Sequence, residues 1–317
     1  MAQDGEDSTL NQSRVAWLAE QIAYHSDVYY NQARNEISDA EFDALWDELK
    51  QLEPDHPQLQ RVGAEIDPGT VKVDHMFPMR SLNKGTNDED IAHFVKESSL
   101  ESTRFISQPK LDGSALSLEY RKGRLVRAAT RGSGDRGEDV TKNARKVENV
   151  PHTLGTEVDV HIRGEVVMRK SVFEEKYRNI SPNPRNLAAG ALRQKKADGK
   201  ADASDLVFLA YDAKFPNEAS RHPDSKAPPS DPFDSLLLDW LNNVAGVKPA
   251  PWVVHDSDTE GASIESLCKE TETWSKEREA YGFEIDGLVF KVDDLEKRDL
   301  LGMTAHHPRW ALAWKFP

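Results

Sequence analysis

Cysteine is almost missing from this 317-residue chain: a single one, Cys268, leaves no partner for an intramolecular disulfide and no ligand set for a cysteine-rich zinc module within it. No run of about 18 apolar residues is present, so no membrane span is expected. The start, Met1 to Ser8, is acidic and polar and lacks the basic and apolar regions of a signal peptide, which leads to the expectation of a cytoplasmic protein. Positive charge is also short. Forty-one Lys and Arg face 55 Asp and Glu, a formal net charge of -14, and that balance excludes a protein that grips nucleic acid with its whole surface. Two restricted basic runs remain, Arg121 to Arg131 and Pro184 to Lys200, each open to reading as a solvated face or as a phosphate contact.

The chain does carry 38% hydrophobic residues, enough for one large domain plus a small one. Val15, Leu18, Ile22, Tyr24 and Tyr29 recur at roughly helical spacing over residues 12–30. Ser38 followed by Glu41 has the form of a capping box and predicts a second helix to about Leu52, with Phe42, Leu45 and Leu49 on one face, stopped by Pro54 and Pro57. A small helical module over residues 1–66 is therefore expected, followed by a larger domain over 67–317.

In the larger domain the period changes to that of short strands. They are expected at Phe105 to Gln108, Ala115 to Tyr120 and Leu125 to Thr130, the last two forming a hairpin about Lys122-Gly123. Others are expected at Val158 to Met168, Leu206 to Ala213, Ile285 to Val292 and Arg309 to Phe316. Ser171-Val172-Phe173-Glu174 reads as a helix cap, Asp231-Pro232 as a helix opening with proline in the first turn, and Ser263 to Ala280 as a helix. No internal repeat is visible. The fold class is α+β: a helical module, then mostly antiparallel sheets flanked by helices.

The chemistry concentrates in four places: Lys110-Leu111-Asp112-Gly113, Arg163-Gly164-Glu165, Glu284-Ile285-Asp286-Gly287 with Lys291, and Trp314-Lys315-Phe316-Pro317. An amine attacks phosphorus only when deprotonated, and a free lysine with a pKa near ~10.4 is almost never so at neutral pH. Burial and neighbouring cations lower that value, so Lys291, Lys315 and a divalent metal are expected to push Lys110 toward the free amine. The same cations offset charge building on a phosphoryl group. Carboxylates such as Glu165 and Asp286 are then available to hold a ribose hydroxyl, a metal ion or the amine itself. For each residue a plainer reading stands beside this one: Lys110 as a hairpin lysine, Glu165 and Asp286 as salt-bridge partners, Tyr29, Tyr30 and Phe42 as helix core, His306-His307 as loop. The glycines at 132, 134 and 137 make no P-loop, because no Gly-Lys-Ser/Thr follows.

In this order the motifs resemble the nucleotidyltransferase superfamily of DNA ligases, RNA ligases and mRNA capping enzymes. With Asn183-Pro184-Arg185-Asn186, Ala129-Thr130-Arg131-Gly132 and Pro308-Arg309-Trp310 added, and Ile37-Ser38-Asp39-Ala40-Glu41-Phe42-Asp43 in the helical module, the chain resembles the bacterial NAD-dependent DNA ligases. The resemblance implies that Lys110 is the adenylated residue, with Asp112 and Asp286 beside it, and that the fold is ATP-grasp-like. It implies that Gln108, Arg131, Glu165, Lys291 and Lys315 bind the adenylate part of NAD, and that Ser81 and Leu82 touch NAD. Tyr29, Tyr30, Asp39, Phe42 and Asp43 would take the nicotinamide side, and Glu165 and Asp286 a Mg²⁺ or Mn²⁺ ion. Arg185 and Arg193 would contact phosphates of nicked double-stranded DNA, bound weakly by this chain alone, with a monomer expected and no membrane partner. The resemblance leaves two other functions on the table: an NAD-binding interaction module without catalysis, and an ATP-using ligase or capping-type transferase. Four departures from the family pattern stand out: Gln108 for glutamate, Ser133 for aspartate in an Arg-Gly-Asp-Gly loop, Asn83-Lys84 for Asp-Asn, and a shorter stretch between Leu59 and Arg61.

Overall fold

The computed structural model describes residues 3–32, 36–37, 39–60, 71–99, 103–195, 201–216, 226–304 and 307–316. They fall into two compact units. The first comprises Met1–Met79 with Arg131–Glu138, the second Arg80–Thr130 with Asp139–Pro317.

In the first unit, α1 (Gln3–Gln32) packs on α2 (Asp39–Leu52) through Leu18, Ile22 and Leu49, all fully buried, with Phe42, Leu45 and Trp46 packed against them. These are the apolar positions whose helical spacing predicted both helices. The first helix begins earlier than expected, at Gln3. Ser38 lies outside the described residues. An antiparallel ribbon pairs Lys72–Asp74 with Arg136–Glu138.

In chain order the second unit runs β1 (Asn83–Gly85), α3 (Asp88–Ser98), β2 (Phe105–Leu111), β3 (Ser114–Arg121), β4 (Arg124–Thr130) and β5 (Val160–Met168). There follow α4 (Pro184–Arg193), β6 (Leu206–Lys214), α5 (Asp234–Trp240), β7 (Val253–His255), α6 (Glu260–Glu277), β8 (Ile285–Val292), α7 (Leu295–Leu301) and β9 (Ala311–Lys315). One sheet has the order β1-β9-β8-β2-β7 and the other β4-β3-β5-β6. All pairings are antiparallel except β9 with β1. The β3-β4 hairpin turns at Lys122-Gly123, both with positive φ, which suits the twist of a two-residue hairpin loop.

Alternation assigns the faces. Leu288, Phe290 and Val292 of β8, Phe105 of β2 and Leu312 and Trp314 of β9 form a core with Ile91, Phe94 and Val95 of α3 and Leu267 of α6. The residues between them, including Gln108, Lys110, Lys291 and Lys315, belong to the opposite face. In the second sheet Leu118, Tyr120, Ile162 and Phe208 pack under Leu187 and Leu192 of α4 and Leu238 and Trp240 of α5, so Arg163 and Glu165 alternate onto its other face.

Two local expectations are corrected. Ser171 does not cap a helix: the short helix starts at Lys170, whose N–H donates to Gly282 O at 3.0 Å, and the chain then widens into a π turn over Phe173–Tyr177. Pro232 does not occupy a first helical turn either. Helix α5 starts at Asp234, and Asp293 from the end of β8 satisfies its first amides, with Asp234 N donating to Asp293 O at 2.8 Å and Ser235 N to Asp293 Oδ1 at 2.7 Å. Both helix starts are thus satisfied by residues distant in sequence, which local pattern does not report.

Candidate functional site

The second unit positions its lysines by register. Lys110 near the end of β2 lies opposite Gly287 of β8, which in turn lies opposite Lys315 of β9. Neighbouring strands are about 4.8 Å apart, so the two lysine backbones flank Gly287 at roughly twice that distance. Glycine is required there by close approach: a Cβ on Gly287 would lie 1.9 Å from Trp314 O. Four residues along, Lys291 sits opposite Ile106 and Ala311, on the same face.

Asp286 reaches that face by an irregularity. Simple alternation would send it toward Leu288, but the register between β8 and β2 shifts between Ile285 and Gly287, and such a bulge re-aims a side chain. Both carboxylate oxygens of Asp286 accept from Lys110 Nζ at 2.7 Å. Side-chain exposures of 29% for Lys110 and 20% for Asp286 leave the pair open on one side.

This pairing reverses the electrostatic expectation for the lysine. Burial alone would lower the Lys110 pKa, but Asp286, Asp112 and Glu165 together outweigh it and hold the amine above its ordinary value. Lys291 does not supply the expected cationic pressure because its own ammonium is committed elsewhere, 2.5 Å from Asp234 Oδ2 and 3.1 Å from Tyr211 O.

The other sequence-predicted residues are placed as follows. Asp112 donates its backbone N–H to Glu284 O at 2.9 Å, and its Oδ1 lies 2.7 Å from Arg185 Nη1. The adjoining Gly113 leaves no room for a side chain, since a Cβ would lie 2.2 Å from Val166 O. Glu165 on β5 is opposite Ala115 and Leu209 and close enough to raise the Lys110 pKa. Gln108 is buried and donates Nε2–H to Ala250 O at 3.3 Å. Arg185, second residue of α4, turns inward on Asp112; burial draws its pKa down to about 10, and Asp286 acts in the opposite direction. Arg193 ends α4 with Nε donating to Ala189 O at 3.3 Å. Ser81 O lies 3.2 Å from His307 Nδ1, and Leu82 is half-buried.

Within the first unit, Phe42 and Asp43 are half-buried on α2, with the Phe42 and Trp46 rings 6.2 Å apart. Arg131 donates from Nε to Met79 O at 3.3 Å. Tyr29, Tyr30 and Asp39 lie on helices α1 and α2, their side chains outside the described residues. His306 also falls outside the description, while His307 donates its backbone N–H to Thr304 Oγ1 at 2.9 Å within a loop, as read from sequence. No helix among the described residues is long and apolar enough to cross a membrane.

Sequence reasoning missed the side chains that surround Lys291. Asp234 and Arg298 are buried with Lys291, and Arg298 Nη2 lies 2.6 Å from Asp234 Oδ2. Neither belongs to a motif, and 64 residues separate them, so nothing local in the sequence marks the contact.

Comparison with known proteins adds the family. Residues 69–317 match the family described as NAD-dependent DNA ligase adenylation domain, and residues 8–64 match the DNA ligase-like, N-terminal NAD+-binding domain. A DNA ligase from Shouchella clausii is 36% identical over 323 residues, covering 95% of this chain and 44% of that protein. One from Halothermothrix orenii is 39% identical over 320 residues, covering 95% and 45%. The chain thus spans less than half the length of these relatives. Among solved structures, an archaeal ATP-dependent RNA ligase is similar over 75% of this chain and 48% of its own, at 12% identity and a TM-score of 0.43. With two family patterns matched in order across residues 8–317 and an antiparallel α+β core presenting Lys110, the chain belongs to the NAD-dependent DNA ligase adenylation-domain family.

Proposed function

We propose that this chain transfers the adenylyl group of NAD to Nζ of Lys110, as the first step of sealing a DNA nick. The observation that carries this reading is the Lys110-Asp286 contact, a lysine and a carboxylate at 2.7 Å in a half-open site, within a chain of this family. Asp286 accepts the proton that Nζ must lose. The freed lone pair then forms a bond to the adenylate phosphorus, the bond from phosphorus to the bridging oxygen breaks, and nicotinamide mononucleotide leaves with that electron pair. The product is a phosphoramidate of AMP on Lys110.

Lys315, across Gly287 from the nucleophile, and Lys291 on the same face take the phosphate charge. Glu165 takes the ribose, and Gln108 sits at the adenine. Tyr29, Tyr30, Asp39, Phe42 and Asp43 serve the nicotinamide half, where an aromatic face stacks on a cationic ring and carboxylates offset its charge. Arg131, Ser81 and Leu82 complete the contacts to NAD. Arg185 and Arg193 serve the DNA phosphates in the later steps, once Arg185 leaves Asp112.

The described residues contain no group of three His, Cys, Asp or Glu side chains able to hold a metal ion. Glu165 and Asp286 offer oxygen ligands alone, a donor set that suits Mg²⁺, which binds through one or two carboxylates plus substrate phosphates and keeps several waters. Mg²⁺ held there supplies charge neutralisation at the phosphates. We place the protein in the cytoplasm, as a monomer acting on nicked duplex.

Incubating the chain with Mg²⁺ and either NAD or ATP, followed by intact mass spectrometry, tests the reading. An AMP adduct from NAD alone, absent in Lys110→Ala, is the expected result. An adduct from ATP alone assigns the chain to the ATP-using class, and NAD binding without any adduct makes it a non-catalytic module.

A further inference from the structure

Lys291 lies in a buried line of alternating charge. Arg163 of β5 pairs with Asp212 of β6, and Asp212 is close enough to Lys291 for the two to shift each other. Lys291 pairs at 2.5 Å with Asp234 of α5, and Asp234 pairs at 2.6 Å with Arg298 of α7. Five elements therefore contribute to the position of one ammonium. At the outer end of the line Lys214 Nζ lies 4.0 Å from Asp212 Oδ1, so the cations outnumber the carboxylates.

The geometry around Asp234 is asymmetric. Its Oδ2 serves both Lys291 and Arg298, while its buried Oδ1 has no hydrogen-bond partner among the described residues. A buried carboxylate oxygen left without a partner is costly, and a carboxylate serving structure alone would do better with one cation on each oxygen. Arg298 is itself fixed, its Nε donating to Val292 O at 2.6 Å, so Asp234 cannot swing away from Lys291 without abandoning that guanidinium.

A lysine at the end of a flexible four-carbon stem makes a poor fixed contact to phosphate unless something limits its rotamers. From these contacts we infer that Asp234, held by Arg298, is the positioning residue that fixes the Lys291 ammonium for the phosphate of the adenylate donor. This rests on the adenylyl-transfer reading of the site. Burial, together with the Arg298 guanidinium, lowers the pKa of Lys291, and Asp234 and Asp212 offset only part of that shift.

Two measurements test the inference, the first of them independent of the activity. Brief treatment with acetic anhydride, read by peptide mass spectrometry, reports how accessible the Lys291 amine is. Lys291 should be acetylated far more slowly than exposed Lys122 in the parent chain and severalfold faster in Asp234→Asn. Adduct formation at subsaturating NAD should slow about tenfold or more in Asp234→Asn, yet change less than about twofold when the same substitution is made on Lys291→Ala, because the effect passes through that lysine. Asp234→Asn/Arg298→Gln removes opposite charges together and should behave like Asp234→Asn if the single variant fails to fold.

Lys291 labelled as fast as Lys122 in the parent overturns the inference. So does an adduct rate within twofold of the parent in a folded variant, or an equal loss in the Lys291→Ala background. A parent chain that forms no adduct overturns the functional reading, and the inference with it.

Discussion

A lysine nucleophile needs two opposed things: an environment that holds the side chain in place and one that lets its proton go. In this structure the first prevails. The carboxylate of Asp286, with Asp112 and Glu165 beyond it, keeps Lys110 charged and fixed. The sequence-based expectation of a lysine crowded by cations weighed the near neighbours wrongly: Asp286, read from sequence as one possible holder of the amine, pairs with Lys110, while Lys291 pairs with Asp234. Asp286 and Lys110 thus meet directly beside the bulge in β8. Gly287 makes that arrangement possible. Replacing it by alanine drives a Cβ against Trp314 O, and Gly287→Ala should cost about 1–3 kcal/mol or more, the usual range for overpacking. A urea unfolding curve with a lowered midpoint and an unchanged slope is the expected result; an unshifted midpoint would show that β9 yields freely at this point.

Among the elements, the strands that end in motifs were readable from sequence and the contacts that join them were not. Period-two alternation placed β2, β3, β4, β8 and β9 within a few residues, since each has one face buried against helices. The bulge at Asp286 left no such trace, because Ile285-Asp286-Gly287 is an unremarkable strand start until the register with Lys110 is known. For the same reason α5 was placed too early: its cap is Asp293, contributed by another strand end. Arg185 belongs to a basic run whose sequence leaves open a solvated face or a phosphate contact, and its guanidinium pairs with Asp112 at 2.7 Å.

The join between β7 and α6 offers a test at this scale. His255 of β7 lies between Ser107 Oγ at 2.9 Å and Ser266 Oγ at 2.8 Å, and burial lowers its pKa, with Glu270 acting against the shift. A histidine whose folded pKa is depressed takes up its proton first in the unfolded chain, so stability falls as pH drops through and below ~6.5. Thermal melts at about pH 7.5 and about pH 5.5 should therefore show a smaller fall in Tm for His255→Gln than for the parent. Equal falls would mean that His255 titrates alike in both states.

For the molecule as a whole, composition excluded more than it identified. A net charge of -14 and one cysteine removed broad classes, but the family became legible only through the order of its motifs along nearly the entire chain. Within the second unit, strand register puts Lys110, Lys291 and Lys315 on one face of their sheet, and Glu165 on the other sheet is close enough to raise the Lys110 pKa. The first unit carries the aromatic and acidic residues assigned to the nicotinamide half, matched by its own family pattern at residues 8–64. Because the curated relatives are more than twice as long as the matched region, nick sealing belongs to the proposal, whereas lysine adenylation can be tested on this chain as it stands. The most direct measurement is tandem mass spectrometry of the protease-digested chain after incubation with NAD and Mg²⁺. The account predicts AMP on the peptide containing Lys110, bonded at that side chain; AMP bonded at any other residue, with Lys110 unmodified, would contradict it.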